Sequence, residues 1–198
     1  RQANVWTASL AGDQRDSHGV TNFNASVSRG KVDFTDDLAE LIDTITSQTQ
    51  GSYTKYSVSV SRLQQLGAND ALYAGYTQQW ANKNLDTSEQ FFLGGANTVR
   101  GYDTGAVSGS EGNLFTVEYR HDFGFAGIPG RFQGTVFADT GRVEVYKNPF
   151  STGVNSGRLS SAGLGLHWAV SGDWVIAASV AHKIGATPEL LQNADTKT

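Results

Sequence analysis

The residues best equipped for chemistry lie in one run, Gly94-Gly95-Ala96-Asn97-Thr98-Val99-Arg100-Gly101-Tyr102. Arg100 is a permanent cation whose planar fork suits a carboxylate. The glycines on either side allow backbone conformations closed to other residues and leave room for a close neighbour. A free surface arginine needs no such frame, so the run is expected to pack against something and Arg100 to have a fixed partner. Other chemistry finds little support. Asp16-Ser17-His18 holds the residue types of a catalytic triad, but three adjacent residues in a turn do not make its geometry. His18, His121, His167 and His182 lack metal-ligand spacing, so no metal or cofactor is expected. The stretch from Gly94 to Gly101 lacks the Lys-Ser/Thr ending of a phosphate loop. No catalytic residue is assigned.

Composition narrows the class. The chain has 198 residues, 23 of them glycine, 11% aromatics, 3 prolines, and neither cysteine nor methionine. A chain beginning at Arg1 without methionine is expected to be a processed chain or a fragment. Without cysteine there are no disulfides or thiolate metal sites. A net charge of -4 gives no footprint for nucleic acid. No apolar run approaches the roughly 20 residues of a membrane helix, which leaves a β-barrel open because its strands alternate.

The elements that would position the run are strands. Residues 4–12 alternate, with Trp6, Ala8 and Leu10 opposite Val5, Thr7 and Ser9, and a polar turn is expected from Gly12 to Gly19. Residues 20–33, 52–64 and 71–83 alternate likewise, with Phe23, Ala25 and Val27, then Tyr56, Val58 and Val60, then Leu72, Ala74, Tyr76 and Trp80 on the apolar faces. Residues 35–49 break the pattern: Leu38, Leu41, Ile42 and Ile45 fall at helical spacing behind an acidic start, which predicts a short amphipathic helix. A long connection, 84–112, carries the glycine run. Beyond it, 113–123 sets Glu118, Arg120 and Asp122 on a polar face, suited to cross-strand pairing or to contact with a passing polypeptide. Strands at 131–145, 158–170 and 174–184 follow, with Ser171-Gly172-Asp173 as a minimal hairpin turn and a helical turn starting at Pro188 in the polar tail.

Short turns near 12–19, 65–70, 124–130 and 171–173 alternate with long connections near 34–51, 84–112 and 146–157. About eight antiparallel strands joined in this way describe a wall of an all-β outer-membrane barrel. Soluble sandwiches have shorter strands and fewer Ser, Asn and Gly on an inward face. Trp6, Trp80, Trp168 and Trp174 suit an interfacial belt, with core packing the alternative.

The stretch Leu85 to Gly95 followed by Val99-Arg100-Gly101-Tyr102-Asp103 resembles the signature of two-partner secretion transporters, the haemolysin-activator type within the outer-membrane-assembly superfamily. A second signature, Phe-x-Asp-x-Gly, matches Phe137-Ala138-Asp139-Thr140-Gly141. In that superfamily the Val-Arg-Gly-Tyr/Phe tip belongs to an extracellular loop folded into the barrel lumen, and the strand aspartate pairs with its arginine. The resemblance therefore implies a lumenal ion pair between Arg100 and Asp139. The alternation of residues 131–145 independently puts Asp139 on the polar face.

The family's barrel has sixteen strands behind periplasmic POTRA domains. Aligned on the long loop, residues 1–198 would be its C-terminal half, strands eight to fifteen, without the POTRA domains, the first half of the barrel or the closing strand. The function implied is export of a large β-helical exoprotein, of haemolysin or adhesin type, across the outer membrane of a Gram-negative bacterium without nucleotide hydrolysis. Partners would be the exoprotein and outer-membrane lipid, with no nucleic acid and no small-molecule substrate. The alternatives are a barrel-inserting relative in the same superfamily, a passive porin-like barrel, and a barrel enzyme.

Overall fold

The computed structural model describes residues 2–125, 129–170 and 174–191. Eight strands form one antiparallel meander: β1 (Gln2–Asp16), β2 (Gly19–Asp33), β3 (Gly51–Gln65), β4 (Asp70–Ala81), β7 (Glu111–Phe123), β8 (Arg131–Glu144), β9 (Ser156–Val170) and β10 (Trp174–Lys183), each beside its neighbour in the chain. The long connection contributes a second, two-stranded sheet, β5 (Phe91–Leu93) with β6 (Val107–Gly109), preceded by a 3-10 turn at Thr87–Glu89. Residues 84–110 are thus a folded loop.

The faces divide as the alternation predicts. Leu10, Phe23, Tyr56, Val60, Tyr76, Phe115, Tyr119, Val136 and Leu164 are exposed on one face. On the other, Asn22, Asn24 and Ser26 of β2 lie opposite Ser61, Ser59 and Ser57 of β3, a neutral lining of short side chains. Side chains of β2, β3, β4 and β7 share a cavity of about 540 Å³ with Asn97, Thr98 and Arg100 of the long loop, so the sheet curls around the loop. Polar inside and apolar outside is the barrel arrangement.

Aromatic side chains mark both ends of the outer face. Trp6 and Trp80 lie toward the long connections, and Trp6 is 85% exposed. Toward the short turns Phe132 stacks on Trp168 at 4.6 Å, and Trp174 meets Trp168 edge-on at 4.2 Å. Girdles of this kind sit at the two membrane–water interfaces.

Several boundaries differ from the sequence reading. The polar stretch after Gly12 continues β1 to Asp16, and only Ser17-His18 turn. Polar residues do not end a strand whose ladder is still paired: Asp13 lies opposite Asn22 and Arg15 opposite Val20. The helix is shorter than 35–49. Helix α1 (Asp37–Ile45) starts at Asp36, whose side chain accepts from the Ala39 N–H at 2.8 Å, and it stops where the Asp43 carboxylate accepts from Thr49 and Gln50 instead. Its apolar stripe, Leu38, Leu41, Ile42 and Ile45, is exposed rather than buried. Strand β7 begins at Glu111, two residues before the expected 113. The turn expected at 171–173, part of that at 124–130, and the tail from 192 lie outside the described residues. At its start the tail does turn, the Leu191 N–H donating to the Pro188 carbonyl at 2.9 Å.

Candidate functional site: the loop anchor

Two dry clusters bind the long loop to the sheet. Leu93, Val99 and Val107 of the loop pack with Val143 of β8 and Leu159 of β9, and Tyr102 and Leu190 border them. Near the base of the loop, Leu85 packs with Val32, Tyr53 and Ala81. The glycine pair before the tip is required by its backbone. Gly94 has φ of +104°, and a Cβ there would lie 2.3 Å from the Asp103 carbonyl oxygen; Gly95 shares the conformation at +105°. Such positive φ is closed to side-chain-bearing residues without strain. Gly101, at +86°, brings the tip against Ala181 of β10.

This frame aims Arg100 at the inward face of β7 and β8. Its Nε donates to Asp139 Oδ2 at 2.7 Å and its Nη2 to Asp139 Oδ1 at 2.8 Å, a fork-to-fork pair. The Arg100 backbone N–H also donates to Asp139 Oδ2, at 3.2 Å. The remaining Nη1 donates to Glu118 Oε1 at 2.7 Å, and Glu118 in turn accepts from Arg120 Nε at 2.9 Å. The guanidinium lies 3.4 Å from the centroid of the Phe137 ring. The Asp139 side chain is fully buried, and that of Arg100 is 15% exposed. Burial alone would lower the Arg100 pKa, but hydrogen bonds and charge from Asp139, then Glu118, outweigh it and raise it, so the loop carries a fixed cation.

The strand motif supplies the receiving surface. Phe137 and Asp139 point inward from β8, opposite Gly163 and Ser161 of β9. Gly163 is bare where the Phe137 ring lies: a Cβ would come within 2.5 Å of it. Gly141 is bare where Leu93 lies, 2.8 Å from such a Cβ. Tyr102 donates from its hydroxyl to the Ser160 carbonyl at 3.2 Å. The structure therefore brings together Val99, Arg100, Gly101 and Tyr102 with Phe137, Asp139 and Gly141, and Gly94 and Gly95 shape the turn that delivers them.

Glu118 belongs to the same constellation, as the second carboxylate on Arg100. Arg120 reaches it and lies 4.9 Å from the Tyr73 ring. Asp122 does not join them; it pairs with Arg131 across the β7–β8 hairpin. The polar face of β7 was visible in the sequence, but the assignment of Glu118 needs the register that sets it opposite Phe137.

The triad types form no triad. Ser17 Oγ and His18 Nδ1 are 2.7 Å apart, but the Asp16 carboxylate accepts the His18 backbone N–H and leaves the ring unsupported. Among the described residues no cluster of His, Cys, Asp and Glu could hold a metal ion. No helix among them is long and apolar enough to cross a membrane, which says nothing of strands.

Comparison with known proteins settles the family. A model of the haemolysin secretion/activation proteins ShlB/FhaC/HecB matches residues 1–168. The chain belongs to that family. It is 34% identical over 155 residues to the heme/hemopexin transporter protein HuxB of Haemophilus influenzae strain 86-028NP, and equally to that of strain Rd. The match covers 75% of this chain and 26% of the relative, so the chain spans about a quarter of the length of the curated relatives it matches. Among solved structures, CdiB from Escherichia coli matches with a TM-score of 0.72 at 20% identity, covering 91% of this chain and 33% of that one. CdiB from Acinetobacter baumannii matches with a TM-score of 0.50 at 19% identity, covering 93% and 39%. These likenesses show the fold: an antiparallel transmembrane barrel wall, placed by its family in the outer membrane of Gram-negative bacteria.

Proposed function

We propose that this segment is part of the wall of an outer-membrane pore that secretes a large β-helical exoprotein by two-partner secretion. The loop carrying Arg100 would occupy the lumen until cargo passes. The observation that carries the reading is the locking of one loop arginine onto carboxylates of two adjoining inward-facing strands. A passive pore has no need of such a latch, whereas a channel that must stay sealed between cargoes does. The neutral Ser and Asn lining of β2 and β3 suits the reading, since it offers a passing chain hydrogen bonds without charges to arrest it.

Residues 1–198 would correspond to strands eight to fifteen of a sixteen-stranded barrel. Among the described residues β1 pairs only with β2 and β10 only with β9, and an unpaired edge is costly in lipid, so further strands are needed on both sides. Transport would need no catalysis and no cofactor, energy coming from folding of the cargo outside. The named relatives are heme/hemopexin transporters, which makes an exoprotein serving haem acquisition one candidate cargo. The test is export of the partner exoprotein by a full-length transporter carrying this sequence, with Arg100 and Asp139 reversed singly and together. Loss in each single reversal and recovery in the double supports the latch and the transport reading. Normal export by both single reversals refutes the latch; no export by the unaltered transporter, with a rise in other outer-membrane barrels, favours an insertase.

A further inference from the structure

The Arg100 anchor fixes the tip of the long loop, and a different set of contacts fixes its base. Asn84 is buried, 1% exposed, where β4 gives way to the loop. Its Nδ2 donates to the Ser47 carbonyl at 2.8 Å and to the Asn148 carbonyl at 2.9 Å, and its Oδ1 accepts from the Asn148 N–H at 2.7 Å. Ser47 lies in the connection that carries α1, and Asn148 in the connection between β8 and β9. One side-chain amide, using both donors and its acceptor, therefore joins all three long connections at one end of the sheet.

The loop's return strand is tied at the same level. Ser110 accepts the Leu85 N–H on its Oγ at 3.0 Å and donates to the Val145 carbonyl at 3.0 Å. Gln79 donates to the carbonyls of Glu89 at 3.2 Å and Ser110 at 3.1 Å. None of these bonds passes through Arg100, Glu118 or Asp139.

We infer that Asn84 is a positioning residue that staples the base of the long loop to the outer rim independently of the lumenal latch. Release of Arg100 then frees the tip, from Phe91 to Val107, while the base stays in place, and the loop swings rather than leaving the barrel. Asparagine is suited to the position, because alanine there removes all three bonds and takes the partner from two carbonyls and an N–H. The inference rests on the reading of the loop as a movable lumenal element, and its test needs no cargo.

Residues 1–198 contain no cysteine, so with any cysteine elsewhere in the full-length protein replaced by serine, spin labels can be placed here singly and in pairs. In a full-length, membrane-inserted transporter, one label at Gln65→Cys serves as reference, with a second at Thr87→Cys on the base or Ala96→Cys on the tip; all three positions are exposed. Pulsed electron resonance reads the distance distributions. Arg100→Ala is expected to broaden the Ala96 distance and leave the Thr87 distance narrow; Asn84→Ala is expected to do the reverse. Broadening of both distances by Arg100→Ala, or an unchanged Thr87 distance in Asn84→Ala, overturns the inference. Should Asn84→Ala fail to assemble, Asn84→Asp carries the test, because it keeps the volume and the bond from Asn148 but loses both donated bonds. Broadening at Thr87 is again expected, and its absence overturns the staple. Broadening at Thr87 in Arg100→Ala, with normal export by the unaltered transporter, would remove the staple and leave the transport reading intact.

Discussion

Replacing Arg100 by alanine removes the cation from a carboxylate that has no other route to water. The Asp139 side chain is fully buried, and two of its three contacts from Arg100 come from the guanidinium. Truncation leaves the Arg100 backbone N–H and strands the charge. Breaking a buried pair by removing one partner costs about 3–5 kcal/mol. Glu118 keeps Arg120 and is 12% exposed, so its share is small. Water entering the space vacated by the guanidinium lowers the figure, which makes about 2–4 kcal/mol a working range. At 1.4 kcal/mol per tenfold, that shifts the balance between seated and released loop by a factor of about 30 to 700. Current through single transporters in planar bilayers reads this balance directly. Arg100→Ala should spend far more time in high-conductance states, and Arg100→Lys should fall between, since an ammonium cannot match the fork to both carboxylates. An open fraction in Arg100→Ala equal to that of the unaltered protein would show that the pair does not hold the loop.

Gly94→Ala forces a side chain into a φ of +104° with its Cβ 2.3 Å from a carbonyl oxygen, and should cost about 1–3 kcal/mol at the loop alone. Faster proteolytic cleavage within residues 91–107, with an unchanged barrel melting temperature, checks it. Phe137→Ala removes the ring on which the Arg100 guanidinium rests and which fills the space over Gly163, and should destabilise the barrel by about 3–5 kcal/mol. Unfolding in urea from lipid vesicles measures that loss, with less expected if Phe137 merely lines an open channel. Trp168→Ala breaks two ring contacts in the aromatic band near the short turns, each worth about 0.5–1.5 kcal/mol. It should lower the unfolding midpoint in the same assay without changing channel current; altered gating would show that this band is coupled to the lumen.

Much of the fold was legible because lipid and lumen impose opposite demands on alternate residues. Phe115, Tyr119 and Phe123 against Glu118, Arg120 and Asp122 give the two faces of β7 with no tertiary information. The loop motif and the strand motif were legible for a related reason: glycine at positive φ and an arginine held by a carboxylate tolerate few replacements. Polarity misled at the ends of elements. Asp13 and Arg15 read as a turn because they are charged, yet the ladder carries them to Asp16, beyond the apolar band. Helix α1 shows in its period, but the spacing of Leu38, Leu41, Ile42 and Ile45 could not say that this face would be left exposed. Glu118 and Asn84 escape the sequence as partners for the same physical reason. Each acts through contacts made across strands or loops, 18 residues away for Glu118 and Arg100 and 64 for Asn84 and Asn148, and no local pattern reports such distances.

On the proposed function, the full-length transporter moves unfolded exoprotein across a bilayer without nucleotide. The most direct measurement places the purified full-length transporter in lipid vesicles, adds unfolded partner exoprotein on the periplasmic side with no nucleotide present, and follows protection from added protease. Protected exoprotein is expected to accumulate inside vesicles carrying the transporter and not in empty ones. Exoprotein that stays wholly digestible, while the same vesicles promote insertion of an added outer-membrane barrel, would make the chain part of an insertase instead.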